Sequence, residues 1–440
     1  MTLLLKPITL LVCAAVASQA YGDDASAVHV HCGHIVDPTL SDTALGPHTI
    51  IVVGEKIAEV RPGRVAPEAN GQLVDLSTSY CLPGLTDAHT HLSSQYDRGG
   101  FVDFLTRPPA EVALRSTQFA ARTLLAGFTT VRDAGGNDLV DIALRGAVAR
   151  GDIIGPRIFA AANAISITGG HGDSSGGYRE DKIIQPSEKN GVADGVAAVT
   201  QATRLAIKRG ADHIKFMASG GVLSQADNAS SPQFTQEEMN AIVATARDHG
   251  LKALAHAHGD EGARRAVMAG VASIEHGTYI SDDTYRLMKK SGTYLVPTLI
   301  AGMTVAENAK TPGFYPPSVA AKALEVGPRM GASFARAHKI GVKIAFGTDA
   351  GVFPHGQNAR EFQYMVENGM TPLEAIRAAT RGGPELMGLF DKLGSLERGK
   401  FADIIAVAAD PLADVKTLQD VRFVMKAGTI YKRDGRRVAP

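Results

Sequence analysis

Eight short apolar segments, most of them followed by a helix-like stretch, constrain the fold of this 440-residue chain more than any other feature. The predicted strands lie around residues 84–91, 128–133, 157–162, 212–218, 252–257, 272–276, 293–298 and 343–349. Helical stretches between them, such as DEGARRAVMAG, end at glycine, as helices commonly do. This alternation predicts an α/β fold, a (β/α)8 TIM barrel over residues 82–390. The longer intervals 163–210 and 299–340 are expected to carry loops over the barrel mouth.

The two ends of the chain have a different pattern. Residues 27–80 and 394–434 contain short β-rich runs, such as HTIIVVGEKIAEV, that are broken by glycine and aspartate. Runs of this kind predict strands. We therefore expect one small β-sandwich domain that is built from both ends, residues 21–81 and 391–440.

Residues 1–20, MTLLLKPITLLVCAAVASQA, have one lysine, a short apolar core and small residues at Ser18 and Ala20. This pattern predicts a signal peptide that is cleaved after Ala20, and hence an exported protein, periplasmic or secreted. An oxidising compartment permits a disulfide between Cys32 and Cys81. Because sequence does not show whether their Cα atoms are close enough to be bridged, two buried free thiols are expected, with the disulfide as the alternative.

The charge balance restricts the partners. Lysine plus arginine and aspartate plus glutamate number 45 each, so the chain has no net field that would recruit nucleic acid or an anionic membrane. We expect a small-molecule substrate, no nucleic acid and no membrane partner.

The segment LPGLTDAHTHL places Asp87, His89 and His91 at alternate positions of the first predicted strand. Alternate residues of a strand point to the same side, so the three side chains could share one ligand. Two neutral imidazoles that face one point typically hold a metal ion, although a pair of histidines in an ordinary loop is the alternative.

Further ligand-type residues stand at other strand ends, where a barrel carries its catalytic groups. They are Lys215, His256, His258, His276 and Asp349. Such residues at five strand ends of one barrel mouth indicate a metal site. Lys215 lies among Ile214, Phe216 and Met217, so burial should lower its pKa and allow the neutral amine to form a carbamate. A snorkelling or ion-paired lysine is the alternative.

The motifs PGLTDAHTHL, GFTTVRDAGG, HIKFMASGG, AHAHG, IEHG, GTDAG and GSLERGKFADIIAV resemble those of the amidohydrolase superfamily. The stretches ITGGHGD and SGGVLSQADNASSPQFT resemble the branch that contains prolidase-like Xaa-Pro and Xaa-Arg dipeptidases and ochratoxin-hydrolysing amidohydrolases. The resemblance implies two divalent metal ions, expected to be Zn²⁺. Their implied ligands are His89, His91 and Asp349 for the more buried ion, His256 and His276 for the second, and a bridging N6-carboxylysine at Lys215.

The resemblance also implies the activity. We expect a metal-dependent amide hydrolase with carboxypeptidase-like activity, which releases a C-terminal amino acid from N-acyl amino acids or dipeptides, ochratoxin A included. Asp349 would move the proton, while His258, His171, Val222 and Leu223 would contact substrate. Alternatively, His258 exchanges roles with His256. The alternative for His171 is that it stabilises its loop and does not contact substrate. A strict Xaa-Pro/Xaa-Arg dipeptidase, a cyclic-amide hydrolase like imidazolonepropionase and a binding protein are the alternatives. A homo-oligomer is expected.

Overall fold

The computed structural model describes residues 27–67, 70–98, 103–225 and 228–438. The predicted signal peptide, residues 1–20, lies outside these ranges. None of the helices in the described ranges combines the length and the apolarity that crossing a bilayer requires.

The strands and helices are numbered in chain order. The strands are β1 Val28–Ile35, β2 His48–Val53, β3 Lys56–Pro62, β4 Gln72–Pro83, β5 Leu85–Thr90, β6 Phe128–Asp133, β7 Arg157–Ala160, β8 Ile214–Met217, β9 Ala253–Ala257, β10 Ser273–His276, β11 Tyr294–Val296, β12 Lys343–Ile344, β13 Ile404–Val407, β14 Phe423–Lys426, β15 Thr429–Arg433 and β16 Arg436–Arg437. The α-helices are α1 Asp103–Thr106, α2 Pro109–Leu125, α3 Val140–Arg150, α4 Val196–Lys208, α5 Gln236–Asp248, α6 Asp260–Ala269, α7 Asp282–Ser291, α8 Leu299–Ala309, α9 Pro317–Ile340, α10 Arg360–Glu367, α11 Pro372–Arg377 and α12 Gly383–Met387.

The central strands form two parallel sheets, one in the order β5-β6-β7 and one in the order β12-β11-β10-β9-β8. Hydrogen bonds connect the two sheets at both sides: β5 to the segment after β12, and the segment after β7 to β8. The amide of Ala88 donates to the carbonyl of Phe346 over 2.8 Å, and the amide of Ile165 donates to the carbonyl of Lys215 over 2.8 Å. Each of the eight predicted strand segments contains one of these strands, and the α/β class is confirmed.

The sequence explains why these strands lie inside the molecule. Every residue of β5 and β6 is buried, as expected for parallel strands that have helices packed on them. The helices end where the sequence indicated: α6, for example, is followed by Gly270 with a left-handed φ of 96°. The aromatic ring of Phe346 lies between Phe128 and Phe362, with ring centroids 5.5 and 4.3 Å away.

The interval 299–340 is mainly a helical hairpin: helices α8 and α9 flank a short loop at residues 310–316, where the sequence analysis expected loops. Helices α8 and α9 pack tightly because small residues face each other: a Cβ atom on Gly327 would lie 2.5 Å from the carbonyl oxygen of Gly302. The interval 163–210 holds a long loop with two short 3₁₀ turns, followed by α4.

Both chain ends contribute to one eight-stranded sheet in the order β16-β15-β14-β13-β4-β1-β2-β3. The amide of Ile57 donates to the carbonyl of Lys400, and the amide of Ala402 donates to that of Glu55, so the β2–β3 hairpin contacts the segment before β13. Val30 and Phe423, from opposite ends of the chain, belong to one buried cluster. The predicted domain boundaries stay predictions.

Cys32 and Cys81 form a disulfide with 5.9 Å between their Cα atoms, so the expectation of two free thiols is wrong. Strands β1 and β4 are parallel neighbours, and their register shifts between Cys32 and His34. This irregularity, which local sequence does not reveal, accompanies the close approach of the two cysteines.

Candidate metal centre

Three predicted ligands meet where β5 ends. Potential ligand atoms of His89, His91 and Asp349 all lie within 4.8 Å of one another. Oδ1 of Asp349 is 3.2 Å from Nε2 of His91 and 3.5 Å from Nε2 of His89. This grouping of two imidazoles and one carboxylate suits a divalent metal ion such as zinc.

The hydrogen bonds of the two imidazoles fit a bound metal. Nδ1 of His89 donates to Glu275 Oε2 over 2.7 Å, and Nδ1 of His91 donates to the Gly135 carbonyl over 2.8 Å. In its neutral form, each ring therefore carries its lone pair on Nε2, the nitrogen that faces Asp349. Nε2 of His89 is buried and makes no hydrogen bond within the described residues. A buried nitrogen without a hydrogen bond is costly, and a metal ion would satisfy it.

Glu275 and Arg132 hold His89 in place, and the sequence analysis did not identify either residue. Arg132 Nη2 donates to Glu275 Oε1 over 3.0 Å, and Arg132 Nε donates to the Ala88 carbonyl over 2.6 Å. Burial raises the pKa of Glu275, but Arg132 and His89 outweigh it and hold the pKa at about 2. An ionised Glu275 fixes the His89 tautomer. The signal that could have identified them was the presence of charged residues inside buried strands.

His256 and His276 lie beside this group. Their ring centroids are 4.6 Å apart, and the centroid of His276 is 5.1 Å from that of His89. Nε2 of His256 donates to the Gly220 carbonyl over 3.0 Å, which leaves its Nδ1 as the atom able to bind a metal. Burial, followed by neighbouring positive groups, lowers the pKa of both histidines well below the ordinary value, so both are neutral.

Lys215 lies on β8 and lines the same cavity. Its side chain is buried, with 2% of the residue exposed, so it does not reach solvent as a snorkelling lysine would. Burial lowers the pKa of Lys215 to about 8. The neutral amine is therefore more populated near neutral pH than in an exposed lysine, although the protonated form still predominates.

The backbone is strained at the candidate ligands. His276 and Asp349 have left-handed φ values of 73° and 61°, which non-glycine residues rarely adopt. Strain of this kind is commonly found at functional sites. Burial raises the pKa of Asp349, but the nearby His89 and His91 outweigh it, so the net shift is downward and the carboxylate is ionised.

Asp87 does not join the cluster, contrary to the expectation from alternate positions. Its carboxylate accepts hydrogen bonds from Thr348 Oγ1 at 2.6 Å and from Asn358 Nδ2 at 2.8 Å. The register between β5 and β6 shifts after Asp87, so regular alternation does not continue to His91. Asp87 instead holds the segment that leads into Asp349.

One cavity of about 420 Å³ contains every predicted site residue. Those residues are His89, His91, His171, Lys215, Val222, Leu223, His256, His258, His276 and Asp349. The remaining wall includes residues that the sequence analysis missed, such as Arg115 on α2, Val305 on α8 and Met330 on α9. No local motif marks them, because the tertiary packing of distant helices brings them to the cavity.

His258 and His171 each contact a candidate metal ligand on one side and a hydroxyl group on the other. The His258 ring stacks on His276 with 5.0 Å between centroids, and its Nδ1 is hydrogen-bonded to Thr278 Oγ1. The His171 ring centroid is 4.4 Å from that of His256, and its Nδ1 is hydrogen-bonded to Ser224 Oγ. His171 therefore both lines the cavity and stabilises its loop.

Comparison with known proteins decides the family. The sequence profile of the amidohydrolase family matches residues 80–431. The chain belongs to the amidohydrolase family. This amidohydrolase is 36% identical over 372 residues to the ochratoxinase of Aspergillus niger, a match that covers 80% of this chain and 76% of the ochratoxinase.

Solved structures agree with the assignment. A Xaa-Pro dipeptidase with methionine bound in its active site has 43% identity and a TM-score of 0.89, covering 92% of this amidohydrolase and 100% of the dipeptidase chain. The crystal structure of A. niger ochratoxinase has 32% identity and a TM-score of 0.81, covering 93% and 97% of the two chains. The chain is thus a hydrolase of a family that acts on small-molecule amides and generally uses divalent metals.

Proposed function

We propose that this amidohydrolase is a binuclear zinc enzyme with carboxypeptidase-like activity, which releases a C-terminal amino acid from N-acyl amino acids and dipeptides. Ochratoxin A, a phenylalanine amide, is among the proposed substrates, with phenylalanine and ochratoxin alpha as products. The observation that carries the proposal is the convergence of five candidate histidine and aspartate ligands and Lys215 in one cavity, where the buried Nε2 of His89 has no hydrogen-bond partner among the described residues.

The architecture that we propose is a (β/α)8 barrel with a β-sandwich attached. The hydrogen bonds between the edges of the two parallel sheets support the barrel. The eight-stranded sheet from both chain ends supports the second domain. In the barrel, His89, His91 and Asp349 would hold one metal and His256 and His276 the other.

Lys215 would complete this ligand set as a carbamate. Its neutral amine adds to carbon dioxide and loses a proton, and the product is an anion with two oxygen atoms. When bound, two zinc ions polarise a substrate carbonyl and lower the pKa of a water molecule to about 7. The downward-shifted pKa of Asp349 keeps its carboxylate ionised and able to accept a proton from the attacking water. Asp349 would then pass that proton to the leaving nitrogen.

The cavity suits an amide that has one apolar half and one carboxylate. Its volume of about 420 Å³ lies within the range of small-molecule sites. Val222 and Leu223, together with Val305 and Met330, offer apolar surface for an acyl or aromatic group. His258 and His171 are the proposed partners of the substrate carboxylate, because a buried carboxylate needs hydrogen-bond donors.

A strict Xaa-Pro or Xaa-Arg dipeptidase is the second candidate. The likeness to a Xaa-Pro dipeptidase at 43% identity favours it. Both candidates require a free carboxylate on the leaving amino acid, whereas a cyclic-amide hydrolase does not. A binding protein is disfavoured because the proposed ligand set is complete.

Substrate comparison tests the proposed function. We expect hydrolysis of N-acyl-phenylalanine compounds and of ochratoxin A, and a rate lower by about 10- to 100-fold for the corresponding C-terminal amides. The reason is that a hydrogen bond to a charged group contributes about 1.5–3 kcal/mol. The measurement is kcat/KM for each matched acid and amide. Equal values would mean that the carboxylate is not recognised, and activity on Xaa-Pro dipeptides alone would favour the second candidate.

We also propose that the protein is exported after removal of residues 1–20 and acts as a homo-oligomer. The signal-like sequence supports export. The oligomeric state stays a prediction.

A further inference from the structure

Helix α8 begins beside the candidate ligand His276. Thr298 precedes the helix, and its Oγ1 is hydrogen-bonded to Nδ1 of His276 at 2.7 Å. Thr298 is fully buried and has a left-handed φ of 51°. Because Nδ1 is engaged by Thr298, Nε2 is the nitrogen of His276 that remains for a metal.

A threonine at the position before a helix usually accepts a hydrogen bond from the first turn through its own hydroxyl. Thr298 makes no such bond to α8. The first amides of the helix are satisfied instead by Glu361 of α10, whose two carboxylate oxygens accept from the amides of Leu299 at 2.9 Å and Ile300 at 2.7 Å. Glu361 is fully buried, and burial raises its pKa to about 8, but each of its two carboxyl oxygens accepts one amide at the start of α8.

We propose that Glu361 is a positioning residue for the second metal site. It caps α8 in place of Thr298, so that the Thr298 hydroxyl remains available to hold His276. The inference rests on the proposed two-metal function.

Loss of Glu361 has a defined consequence. The amides of Leu299 and Ile300 would lose their acceptors, and the hydroxyl of Thr298, the residue before the helix, would be drawn to cap them. His276 would then lose the partner of its Nδ1, and its ring would no longer be held for metal binding. Loss of a hydrogen-bond partner of a metal-binding histidine typically lowers metal affinity by about 10- to 100-fold.

Zinc titration of the metal-free protein against a chelator tests the role of Glu361. In Glu361→Gln we expect the second zinc ion to bind about 10- to 100-fold more weakly than in the wild type, while the first binds unchanged. The matched control is Glu238→Gln. Glu238 is a buried glutamate that also accepts two backbone amides at helix starts, those of Gly195 and Thr235, and within the described residues none of its hydrogen bonds reaches a histidine ligand. Both zinc constants should be unchanged in the control.

Thr298 variants test whether Glu361 acts through the hydroxyl. Thr298→Val should weaken binding of the second zinc ion as much as Glu361→Gln does, and the double variant should bind it no more weakly than Thr298→Val. Thr298→Ser should keep the wild-type dissociation constant. If Glu361→Gln does not fold, Glu361→Asp, which reaches less far by one methylene, replaces it in the titration.

The outcomes separate the two proposals. One result is that the wild-type protein binds two zinc ions while the Glu361 variant binds its second ion with an unchanged dissociation constant. That result would overturn the role of Glu361 alone, even if the metal-free variant had a lower Tm. A wild-type protein with a single zinc site would overturn the two-metal function and the inference with it.

Discussion

Lys215→Ala is expected to lose bound metal and nearly all hydrolytic activity. Lys215 is the buried amine in the cavity, and without it no carbamate could supply the anionic ligand of the proposed metal site. Metal content and kcat should be measured on the same sample. Bicarbonate together with a short carboxylic acid is expected to restore part of the activity, because the acid can occupy the space of the carbamate.

Lys252→Ala is the control for this variant. Nζ of Lys252 donates to the Leu386 carbonyl, and Lys252 lies outside the cavity lining. The control should keep its metal and its rate. Two metal ions and a near-normal rate in Lys215→Ala would refute the carbamate.

Asp349→Asn should reduce the hydrolysis rate by at least about 100-fold, the effect typical of a lost general acid–base. The amide cannot accept the proton that the ionised Asp349 is proposed to take from water. Because Asp349 is also a proposed ligand, metal content must be determined for the same preparation, and substrate binding should persist. Unchanged turnover with metal retained would show that another group moves the proton.

Six of the eight central strands, all except β7 and β12, are buried along their whole length, which made them predictable as short buried segments. Residues such as those of β5 and β6 have no exposed side that would complicate the pattern. The α8–α9 hairpin was missed although its interval was identified, because close packing of Gly302 against Gly327 is a tertiary property. The disulfide was missed for a similar reason, since the register shift between β1 and β4 is not visible locally.

The sequence motifs predicted candidate residues that the fold gathers in one cavity, but they did not reveal the residues that contact the imidazoles. His89 and His276 stand in recognisable motifs at strand ends. Their partners Glu275 and Thr298 look like ordinary strand and loop residues until the fold places them against an imidazole nitrogen. For Asp87 the spacing was misleading: the residue stands two positions before His89, as a ligand could, but its carboxylate accepts a hydrogen bond from Thr348.

Titration of the metal-free wild-type protein with zinc, followed by the rate of hydrolysis of an N-acyl-phenylalanine, tests the central claim most directly. The proposed function predicts no hydrolysis without metal and a rate that reaches its plateau at two zinc ions per chain. A plateau at one zinc ion, or full activity in the metal-free protein, would contradict it.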